Sequence, residues 1–496
     1  MINVVETNCR RWQGLSSEED SFRIILTTEK ERLVKLKAEA SSRYWSDDKR
    51  FLSAILSMDL RSIFCIVTLK DNAKEIYIYN SKTGLYESEG YETLRAKIAY
   101  VLGNAYSESH ARATIYDITA HTHIKRKNFT APIHLIPVEN GVLDISKNPV
   151  ELLDFDKKFY FTKKLPVTYD PKAKCPNFLA FLNEILTEDR FRLQIQEMFG
   201  WCLRRDYTHQ FVFLLIGDGS NGKSKLLGVL CKMLGHQNVT SVSLQRLCEN
   251  RFVASHLYKK LANILSDMPS KRIVDSSIFK QLTGEDLITA EIKGGAFFEF
   301  FNCAKLIFSA NAVPYSSDKS FAFYRRWVLI FFNVRFGDGG LPKDIKILEK
   351  ITTPEELSGI LDWAIEGLQR LNKQGDFSER MSVAETREYY DRLVSPISAF
   401  LKENITETDA DDEVDYIPKD YLFNEILKYC EEKQLLKRDV TKTKIAYIIN
   451  RSFKFIKSAQ KTVGDKPRTH VWENCKFKDG SLLNLDYRMW LESLKK

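Results

Sequence analysis

The middle of the chain contains four short apolar runs, separated by longer segments with a helical pattern. The runs are Phe211–Ile216 (FVFLLI), Leu261–Leu265 (LANIL), Lys305–Ser309 (KLIFS) and Trp327–Phe332 (WVLIFF). Short, nearly continuous apolar runs are typical of strands that are buried on both faces, as in parallel sheets. Helices between such strands predict an α/β core with a mainly parallel sheet from about residue 205 to 370.

The segments on either side of this core have different patterns. Thr27–Lys49 predicts an exposed helix, and Glu75–Tyr79 (EIYIY) alternates like a strand. Pro137–Asp170 is extended and punctuated by proline, whereas Pro176–Cys202 has a helical pattern. We therefore predict an α+β N-terminal domain at 1–135, a connector with helices at 136–204, the core at 205–370, a helical and acidic linker at 371–415, and a winged-helix-like domain at 416–496.

Length and composition describe an ordinary globular protein. The 496 residues include 44% hydrophobic and 28% charged residues, which excludes a fibrous or mainly disordered chain. No apolar run approaches the roughly 20 residues that a membrane-spanning helix needs, and the N-terminus lacks the apolar stretch of a signal peptide. We expect a protein that acts in the cytoplasm or at the nucleoid, without a membrane partner and with reduced cysteines.

The net charge of +8 is concentrated near the C-terminus. Residues 437–468 contain ten Lys or Arg and two acids, whereas 407–415 contains six acids and no Lys or Arg. A local positive field of this kind suits a polyanion, and nucleic acid is the usual partner. A basic face that only contacts solvent is the alternative.

The first apolar run ends at a glycine-rich octapeptide that fits the pattern GxxxxGK[ST]. Its residues are Gly217, Asp218, Gly219, Ser220, Asn221, Gly222, Lys223 and Ser224. In such loops the glycines let backbone N–H groups surround phosphate oxygens, the lysine neutralises β- and γ-phosphate charge, and the serine ligates Mg²⁺. A helix over Lys223–Leu234 would add the positive end of its dipole. The sequence therefore predicts a site for ATP and Mg²⁺; a glycine turn with an incidental lysine is the alternative.

Polar residues also flank the other three runs. Asp267 follows the second run, after Ser266, and is the candidate to polarise the attacking water and to ligate Mg²⁺. Asn311 follows the third run and is placed to orient that water. Arg325 and Arg326 precede the fourth run, where a cation supplied to a neighbouring subunit would stabilise transition-state charge; we favour Arg326, which adjoins the strand. Simple capping, turn-forming and surface roles are the alternatives.

The order of these elements resembles the superfamily 3 DNA helicases of the AAA+ group. More narrowly, it is similar to the phage and plasmid primase-helicases that include the poxvirus type. The stretches that carry the resemblance fall within about 140–340 and include NGVLDI, LLIGDGSNGKSKLL, LANILSDMPS, LITAEIKGGAFFEF, KLIFSANAVP and FYRRWVLIFF. The resemblance implies a P-loop AAA+ core and a homo-oligomeric ring, expected to be a hexamer. The ring would encircle DNA, hydrolyse ATP between subunits and move 3′ to 5′ along a single strand.

The resemblance also implies a role for each candidate residue. Lys223 and Ser224 match the Walker A pair, Asp267 matches the Walker B acid, Asn311 matches sensor 1, and Arg325 or Arg326 matches the arginine finger.

One further segment, LITAEIKGGAFFEF, matches the family's hairpin that points into the pore of the ring. Lys293 at its expected tip would contact DNA phosphate. Two positions depart from the family pattern. Ser266 replaces the first of two acids at Walker B, so that Asp267 takes both roles, and Glu291 stands where an arginine is common.

The basic C-terminal segment is similar to the family's winged-helix module. Its helix at 441–452 places Ile445, Ile448 and Ile449 on one face, and a basic wing follows at about 454–468. In addition to the single strand in the ring, duplex DNA at an origin is an expected partner of this domain. The side chains expected to contact DNA are Lys442, Lys444, Arg451, Lys454 and Lys457. A protein-interaction module with a basic surface is the alternative.

The leading hypothesis is an ATP-driven replicative DNA helicase from a mobile genetic element. A primase-helicase with priming activity hidden in 1–135 is the second, since relatives often carry a primase domain ahead of the helicase. A separate primase or another replication protein is an expected partner. The third is an origin-binding initiator ATPase that does not unwind processively, which Ser266 would permit. A small-molecule kinase is the remaining P-loop class, but kinases need neither the Asn–Arg pair nor a basic terminal domain.

Overall fold

The computed structural model of the protein describes residues 28–494, apart from 251, 292–296, 312, 338–339, 409–414, 434, 436, 438–439, 464–465 and 480, and apart from the side chains of 72–74 and 466–467. The chain forms two compact units, each described by itself. Unit 1 extends to Pro137 and includes Gly141–Lys164, and unit 2 contains Val138–Asn140 and Leu165 onward. The five predicted segments are finer than this division, and their boundaries stay predictions.

Unit 1 combines helices with two small sheets. Its elements are α1 (Glu29–Arg43), α2 (Ser53–Ile63), β1 (Ile66–Leu69), β2 (Asn72–Asn80), β3 (Leu85–Glu87), α3 (Gly90–Leu102), α4 (Glu108–His121), β4 (His123–Ile124), β5 (Leu135–Val138), β6 (Gly141–Asp144) and β7 (Glu151–Leu153). The sheets have the orders β3-β2-β1-β4 and β5-β6-β7. Buried leucines and isoleucines of α1 to α4 pack together with strand residues. The predicted α+β character of the N-terminal region is confirmed.

Local sequence explains where the first helix begins. Thr28 caps α1, because its hydroxyl accepts the Glu31 N–H while the Glu31 carboxylate accepts the Thr28 N–H. The helix therefore starts at Glu29 and ends at Arg43, inside the predicted Thr27–Lys49 segment. The predicted strand at Glu75–Tyr79 is part of β2.

The first part of unit 2 is an α/β domain. Its elements are α5 (Pro176–Ile185), α6 (Asp189–Trp201), β8 (Val212–Ile216), α7 (Lys223–Leu234), β9 (Val239–Thr240), α8 (Leu244–Glu249), β10 (Ala262–Leu265), α9 (Ser276–Leu282), β11 (Leu287–Glu291), β12 (Phe297–Phe301), β13 (Lys305–Ala310), α10 (Phe321–Tyr324), β14 (Trp327–Phe331), α11 (Ile347–Lys350), α12 (Pro354–Gln374) and α13 (Val383–Val394). The helical pattern at 176–202 is interrupted at Leu186, whose backbone is extended, so two helices form there instead of one.

Five of these strands form one parallel sheet in the order β14-β8-β13-β10-β9. Nearly every residue of β8, β10, β13 and β14 is buried, which is why each appears in the sequence as a continuous apolar run. The predicted parallel sheet is confirmed. Its fifth strand, β9, has two residues and leaves no such pattern.

The remainder of unit 2 alternates helices with short antiparallel strands. Its elements are α14 (Pro396–Asn404), β15 (Ile405–Glu407), β16 (Tyr416–Pro418), α15 (Lys419–Glu432), α16 (Lys442–Ser452), β17 (Lys457–Val463), β18 (Lys466–Glu473), β19 (Cys475–Phe477) and α17 (Leu482–Ser493). The strands form sheets of order β16-β18-β17 and β15-β19. Within the described residues, no helix has the length and apolar character that crossing a membrane requires.

A buried lysine joins α6 to the parallel sheet. Lys305, at the start of β13, is completely buried, and its Nζ donates to the carbonyl oxygens of Arg204, Asp206 and Cys303. The ammonium also lies over the rings of Trp201 and Tyr207, at 5.2 and 5.5 Å from their centroids. Burial lowers the pKa of Lys305 to about 8.

We expect Lys305→Met to lower the free energy of unfolding by about 3 kcal/mol, because three partly buried carbonyl groups lose their donor. Urea denaturation at pH 7 measures this change. Lys271→Met, at an exposed position of the same unit, is the matched control and should shift stability by no more than about 0.5 kcal/mol. Equal stability of the two variants would show that the Lys305 contacts contribute nothing net.

Candidate functional site

The predicted site residues follow three neighbouring strands. The glycine-rich loop, residues 217–224, follows β8, Asn311 follows β13, and Asp267 lies two residues beyond β10. Because β8, β13 and β10 are adjacent and parallel, their carboxyl ends meet at one edge of the sheet. Backbone hydrogen bonds tie these ends together, from Gly217 N–H to Ala310 O at 3.4 Å and from Met268 N–H to Ser309 O at 2.7 Å. The fold thus brings three separate motifs to one place.

The conformation of the glycine-rich loop suits an anion. Gly219, Ser220 and Gly222 have φ values of +100°, +47° and +84°. Backbone in this region turns successive N–H groups toward one side of a loop. Gly222 also precedes α7, and no side chain caps the N-terminus of that helix. The loop therefore offers unfilled donors and a positive helix end to a phosphate group.

Lys223, the first residue of α7, is buried within the loop. Its side chain is 4% exposed, and Nζ donates to Gly217 O at 2.7 Å and to Asn221 Oδ1 at 2.9 Å. Burial lowers the pKa of Lys223 to about 8, and the negative charges of Asp218 and Asp267 oppose that fall. The ammonium is held by neutral oxygens, so an incoming phosphate would be its first close anionic partner.

Proton uptake should accompany nucleotide binding near pH 8. Phosphate oxygens favour the charged form of Lys223, so the bound state has the higher pKa. Binding is then strongest below pH 8 and weakens as pH rises through the value of the free protein. We expect uptake of about half a proton per site at pH 8, almost none at pH 6.5, and a decline in affinity approaching tenfold per unit above pH 8.5.

Isothermal titration calorimetry of ATP binding, in buffers that differ in ionisation enthalpy, measures this uptake. Lys223→Arg is the matched control, because a guanidinium stays charged throughout this range. Equal proton uptake by the two proteins at pH 8.5 would exclude Lys223 as the titrating group.

Two exposed side chains, one at the end of the loop and one after β10, could hold a divalent cation. Ser224 and Asp267 are both exposed, and Asp267 lies close enough to Lys223 to influence its pKa. In the described part of the chain, no group of three His, Cys, Asp or Glu side chains could hold a metal ion by itself. This donor set fits Mg²⁺, which is commonly bound through one carboxylate or hydroxyl together with substrate phosphates and water.

The two arginines before β14 have different environments. Arg326 is 6% exposed, and its guanidinium donates to Thr283 Oγ1 at 2.8 Å and to Ala322 O. Burial lowers the pKa of Arg326 to about 10. Arg325 is partly exposed, and its Nη2 donates to Gln210 Oε1 at 2.5 Å. Arg326 is thus a core residue, and Arg325 is the arginine that reaches the surface.

Both arginines lie at the amino end of the parallel strands, whereas the glycine-rich loop lies at their carboxyl end. They precede β14, which runs parallel to β8 with Trp327 opposite Val212 and Phe331 opposite Ile216. At about 3.3 Å per residue, the length of these strands separates Arg325 from the loop of its own subunit by roughly 16 Å. The structure therefore does not bring Arg325 together with Lys223 and Asp267 within one subunit.

The segment predicted to enter a pore forms an antiparallel pair of strands. Leu287 lies opposite Phe301 and Glu291 lies opposite Phe297 in β11 and β12. Lys293 lies outside the described residues, so its predicted phosphate contact stays a prediction.

The predicted basic residues of the C-terminal region are exposed. Lys442, Lys444, Arg451, Lys454 and Lys457 lie on α16 or just beyond it. Ile445 and Ile449 of the same helix are buried, as the periodicity predicts, and Ile448 is partly buried. Among the five, Lys442 is paired with Asp420.

Gln210 and Thr283 are two further residues near the arginines, and neither was predicted from the sequence. They contact Arg325 and Arg326 across 115 and 43 residues of chain, respectively. No local pattern indicates such a contact.

Comparisons with known proteins match two parts of the chain. Residues 19–187 match the family model described as D5 N terminal like, and residues 215–326 match a family of unknown function, DUF5906. The second match spans the glycine-rich loop, Asp267, Asn311 and both arginines. Most of the N-terminal segment 1–135 falls within the first match.

One curated relative is a protein of Acanthamoeba polyphaga mimivirus that is provisionally named helicase L207/L206. It is 23% identical over 291 residues, which cover 53% of this chain and 30% of the relative. The chain thus spans less than a third of the length of that protein.

Solved structures of the NrS-1 C-terminal region, determined in the apo state, also resemble the chain. Two of them are 12% identical, cover 84% and 86% of this chain and 97% and 99% of their own, and give TM-scores of 0.41 and 0.42. By sequence, then, the chain carries a D5 N-terminal-like region and a DUF5906 region, and it is similar to a viral protein named as a helicase.

Proposed function

We propose that the protein is an ATP-driven, Mg²⁺-dependent DNA helicase of the primase-helicase type, which acts as a homo-oligomeric ring. The observation that carries the proposal is the arrangement of the parallel sheet. The glycine-rich loop, Asp267 and Asn311 lie at the carboxyl ends of the parallel strands, and Arg325 lies at their amino ends. Each subunit then has two halves of a hydrolytic site that it cannot join by itself. A ring of identical subunits, each contacting the next head to tail, completes every site.

In the proposed site, each side chain acts on the nucleotide or on water. The loop N–H groups and Lys223 bind the phosphates, which releases Lys223 Nζ from Gly217 O and Asn221 Oδ1. Asp267 accepts a hydrogen bond from the attacking water and orients it, and Asn311 holds that water from the adjacent strand. Mg²⁺, held by Ser224 and Asp267, would supply positive charge at the phosphate oxygens.

Arg325 of the neighbouring subunit completes the site by stabilising charge that develops on the transferred phosphoryl group. We assign this role to Arg325 and not to Arg326, because the Arg326 guanidinium is buried and engaged by Thr283 and Ala322. The side chain of Arg325 needs only to leave Gln210 to reach a partner.

The activity test combines light scattering with ATP hydrolysis. We expect a large homo-oligomer in the presence of ATP and single-stranded DNA, together with hydrolysis that DNA stimulates several-fold. Lys223→Ala is the negative control, since it should remove hydrolysis and leave the fold intact. A monomer that hydrolyses no ATP with or without DNA would refute the proposal.

One observation favours a second candidate, an origin-binding ATPase that assembles without processive unwinding. Ser266 stands beside Asp267 where the resembling helicases have a second acid, so one carboxylate must serve both the metal and the water. Such a protein would hydrolyse ATP slowly and bind duplex DNA, but it would not separate a forked substrate.

We further propose that α16 and the strands β17 and β18 bind DNA as a winged helix. The order of α14, β16, α15, α16 and the β17–β18 pair supports this, and so does the exposure of the basic side chains. We expect Lys454→Ala combined with Lys457→Ala to weaken DNA binding and to reduce the salt dependence by about two counterions.

Fluorescence anisotropy with labelled duplex and single-stranded DNA, from 50 to 300 mM salt, measures both effects. Lys402→Ala combined with Lys478→Ala is the matched control, since both are exposed lysines elsewhere in unit 2. Unchanged affinity and salt slope in the 454/457 variant would favour a protein-interaction role for this region.

A further inference from the structure

The glycine-rich loop is fastened to a second strand besides the one that it follows. Asn221 Nδ2 donates to Phe332 O at 3.3 Å, and Phe336 N–H donates to Ser220 O at 2.7 Å. Phe332 directly follows the last residue of β14. The Asn221 side chain therefore contacts the residue that follows β14, and the loop backbone contacts Phe336 in the segment beyond the strand.

The first glycine of the loop provides the space for this contact. A Cβ at Gly217 would lie 2.1 Å from Asn221 Nδ2 and 2.6 Å from Phe332 O. The backbone of Gly217 does not adopt the left-handed conformation, so the position requires glycine for room and not for conformational freedom. Glycine at position 217 therefore leaves the room that the Asn221 amide needs to reach the residue after β14.

The Asn221 amide also contacts the ammonium group of Lys223. Asn221 Oδ1 accepts from Lys223 Nζ at 2.9 Å while Nδ2 donates to Phe332 O. Asn221 is 4% exposed, so both contacts are shielded from water and leaving either amide atom unpaired would be unfavourable. The position of the amide therefore depends on where Lys223 points.

At its other end β14 begins next to Arg325. The strand is paired with β8 along its full length, and hydrogen bonds from Val212 N–H to Arg326 O and from Phe332 N–H to Ile216 O extend the pairing at both ends. Arg325 is itself held by Gln210, which lies just before β8. A strand paired in this way moves as a unit, so a shift at Phe332 reaches Arg325 roughly 20 Å away.

We propose that Asn221 is a positioning residue that connects two nucleotide sites, an inference that rests on the proposed function. Nucleotide bound in one subunit would act through Asn221 of that subunit on the position of its Arg325, which lies in the site of the next subunit. Phosphate draws Lys223 Nζ away from Asn221 Oδ1. The amide then adjusts against Phe332 O and moves β14, and Arg325 moves with it.

Mixed assemblies test this link separately from any local effect of Asn221 on its own site. Wild-type protein is mixed with an inactive dopant, Asp267→Asn, which keeps Lys223 and should bind ATP with very slow hydrolysis while it presents Arg325 to its neighbour. A second dopant carries Asp267→Asn together with Asn221→Ala. Since both dopants have an inactive site of their own, any difference in total hydrolysis arises at the sites that receive the dopant's Arg325.

We expect the dopant with Asn221→Ala to lower hydrolysis about threefold below the Asp267→Asn dopant when about nine dopant subunits are mixed with each wild-type subunit, because most wild-type sites then receive Arg325 from a dopant. Asp267→Asn with Arg325→Ala sets the lower limit, about tenfold below. Asp267→Asn with Asn238→Ala is the matched control, because Asn238 is a buried amide beyond the other end of α7, and it should behave like Asp267→Asn alone. Asn221→Asp keeps the size and the acceptor but removes the donor to Phe332 O, and it should act like Asn221→Ala.

Identical hydrolysis with the Asp267→Asn dopant and both Asn221 dopants would overturn the link while leaving the shared site intact. Wild-type protein without hydrolysis, or an Arg325→Ala dopant without effect, would instead refute the proposed function. Light scattering of each mixture confirms that the dopants enter the assembly. If the Asn221→Ala dopant does not enter it, the Asn221→Asp dopant decides the result.

Discussion

Arg325→Ala is expected to lower DNA-stimulated ATP hydrolysis by about 10³-fold or more, with little change in ATP affinity. The Arg325 side chain lies at the amino end of the parallel strands, whereas the glycine-rich loop of the same subunit lies at their carboxyl end. Loss of the side chain therefore leaves the phosphate contacts of that loop in place. The charge that develops on the phosphoryl group in the neighbouring site then lacks its cation. Steady-state hydrolysis and fluorescent-nucleotide binding, measured on the same preparation, separate the two effects.

Mixing two inactive variants makes this prediction specific for a shared site. Arg325→Ala subunits keep an intact glycine-rich loop and Asp267, and Asp267→Asn subunits keep Lys223 and an intact Arg325. In a randomly mixed ring, about a quarter of the interfaces join the two intact halves, so hydrolysis should return to about a quarter of the wild-type rate. Mixtures that stay as inactive as either variant alone would show that Arg325 acts within its own subunit or not at all.

Asp267→Asn is expected to slow hydrolysis by about 10²–10⁴-fold while ATP still binds. The residue follows β10 at the edge where the loop and Asn311 converge, and its charge is close enough to influence the pKa of Lys223. An amide can still accept a hydrogen bond from water, but it has lost the negative charge that makes the water nucleophilic. Ser266 brings no second carboxylate to the end of β10.

Single-turnover hydrolysis measures this effect, and Ser266→Ala is the matched control at the adjacent exposed position. That control should hydrolyse ATP within a few-fold of the wild type. Equal activity of Asp267→Asn and Ser266→Ala would remove Asp267 from the site.

Those features of the fold that depend on neighbouring residues were predictable from the sequence. The strand at Phe211–Ile216, the loop and the start of the helix at Lys223 were predicted almost residue by residue, since an apolar run, a glycine-rich turn and a helical period follow one another directly. The strand ends that carry Asp267 and Asn311 were predictable for the same reason. Parallel order then brings them together without further information.

Features that depend on distant contacts were not predictable. The preference for Arg326 rested on its place beside β14, whereas its burial depends on Thr283 and on the packing of α9 and α10. The exposure of Arg325 depends on Gln210, which lies 115 residues earlier in the chain. Likewise, the contact between Asn221 and Phe332 forms only after β14 pairs with β8, so the motif by itself gives no sign of it.

Separation of a forked DNA substrate by the wild-type protein tests the central claim most directly. The substrate carries one labelled strand with a single-stranded tail, and release of that strand is followed with ATP and Mg²⁺ present. We predict release that depends on ATP and is absent with Lys223→Ala and with Arg325→Ala. A wild-type protein that hydrolyses ATP and binds the fork but never releases the strand would contradict the account.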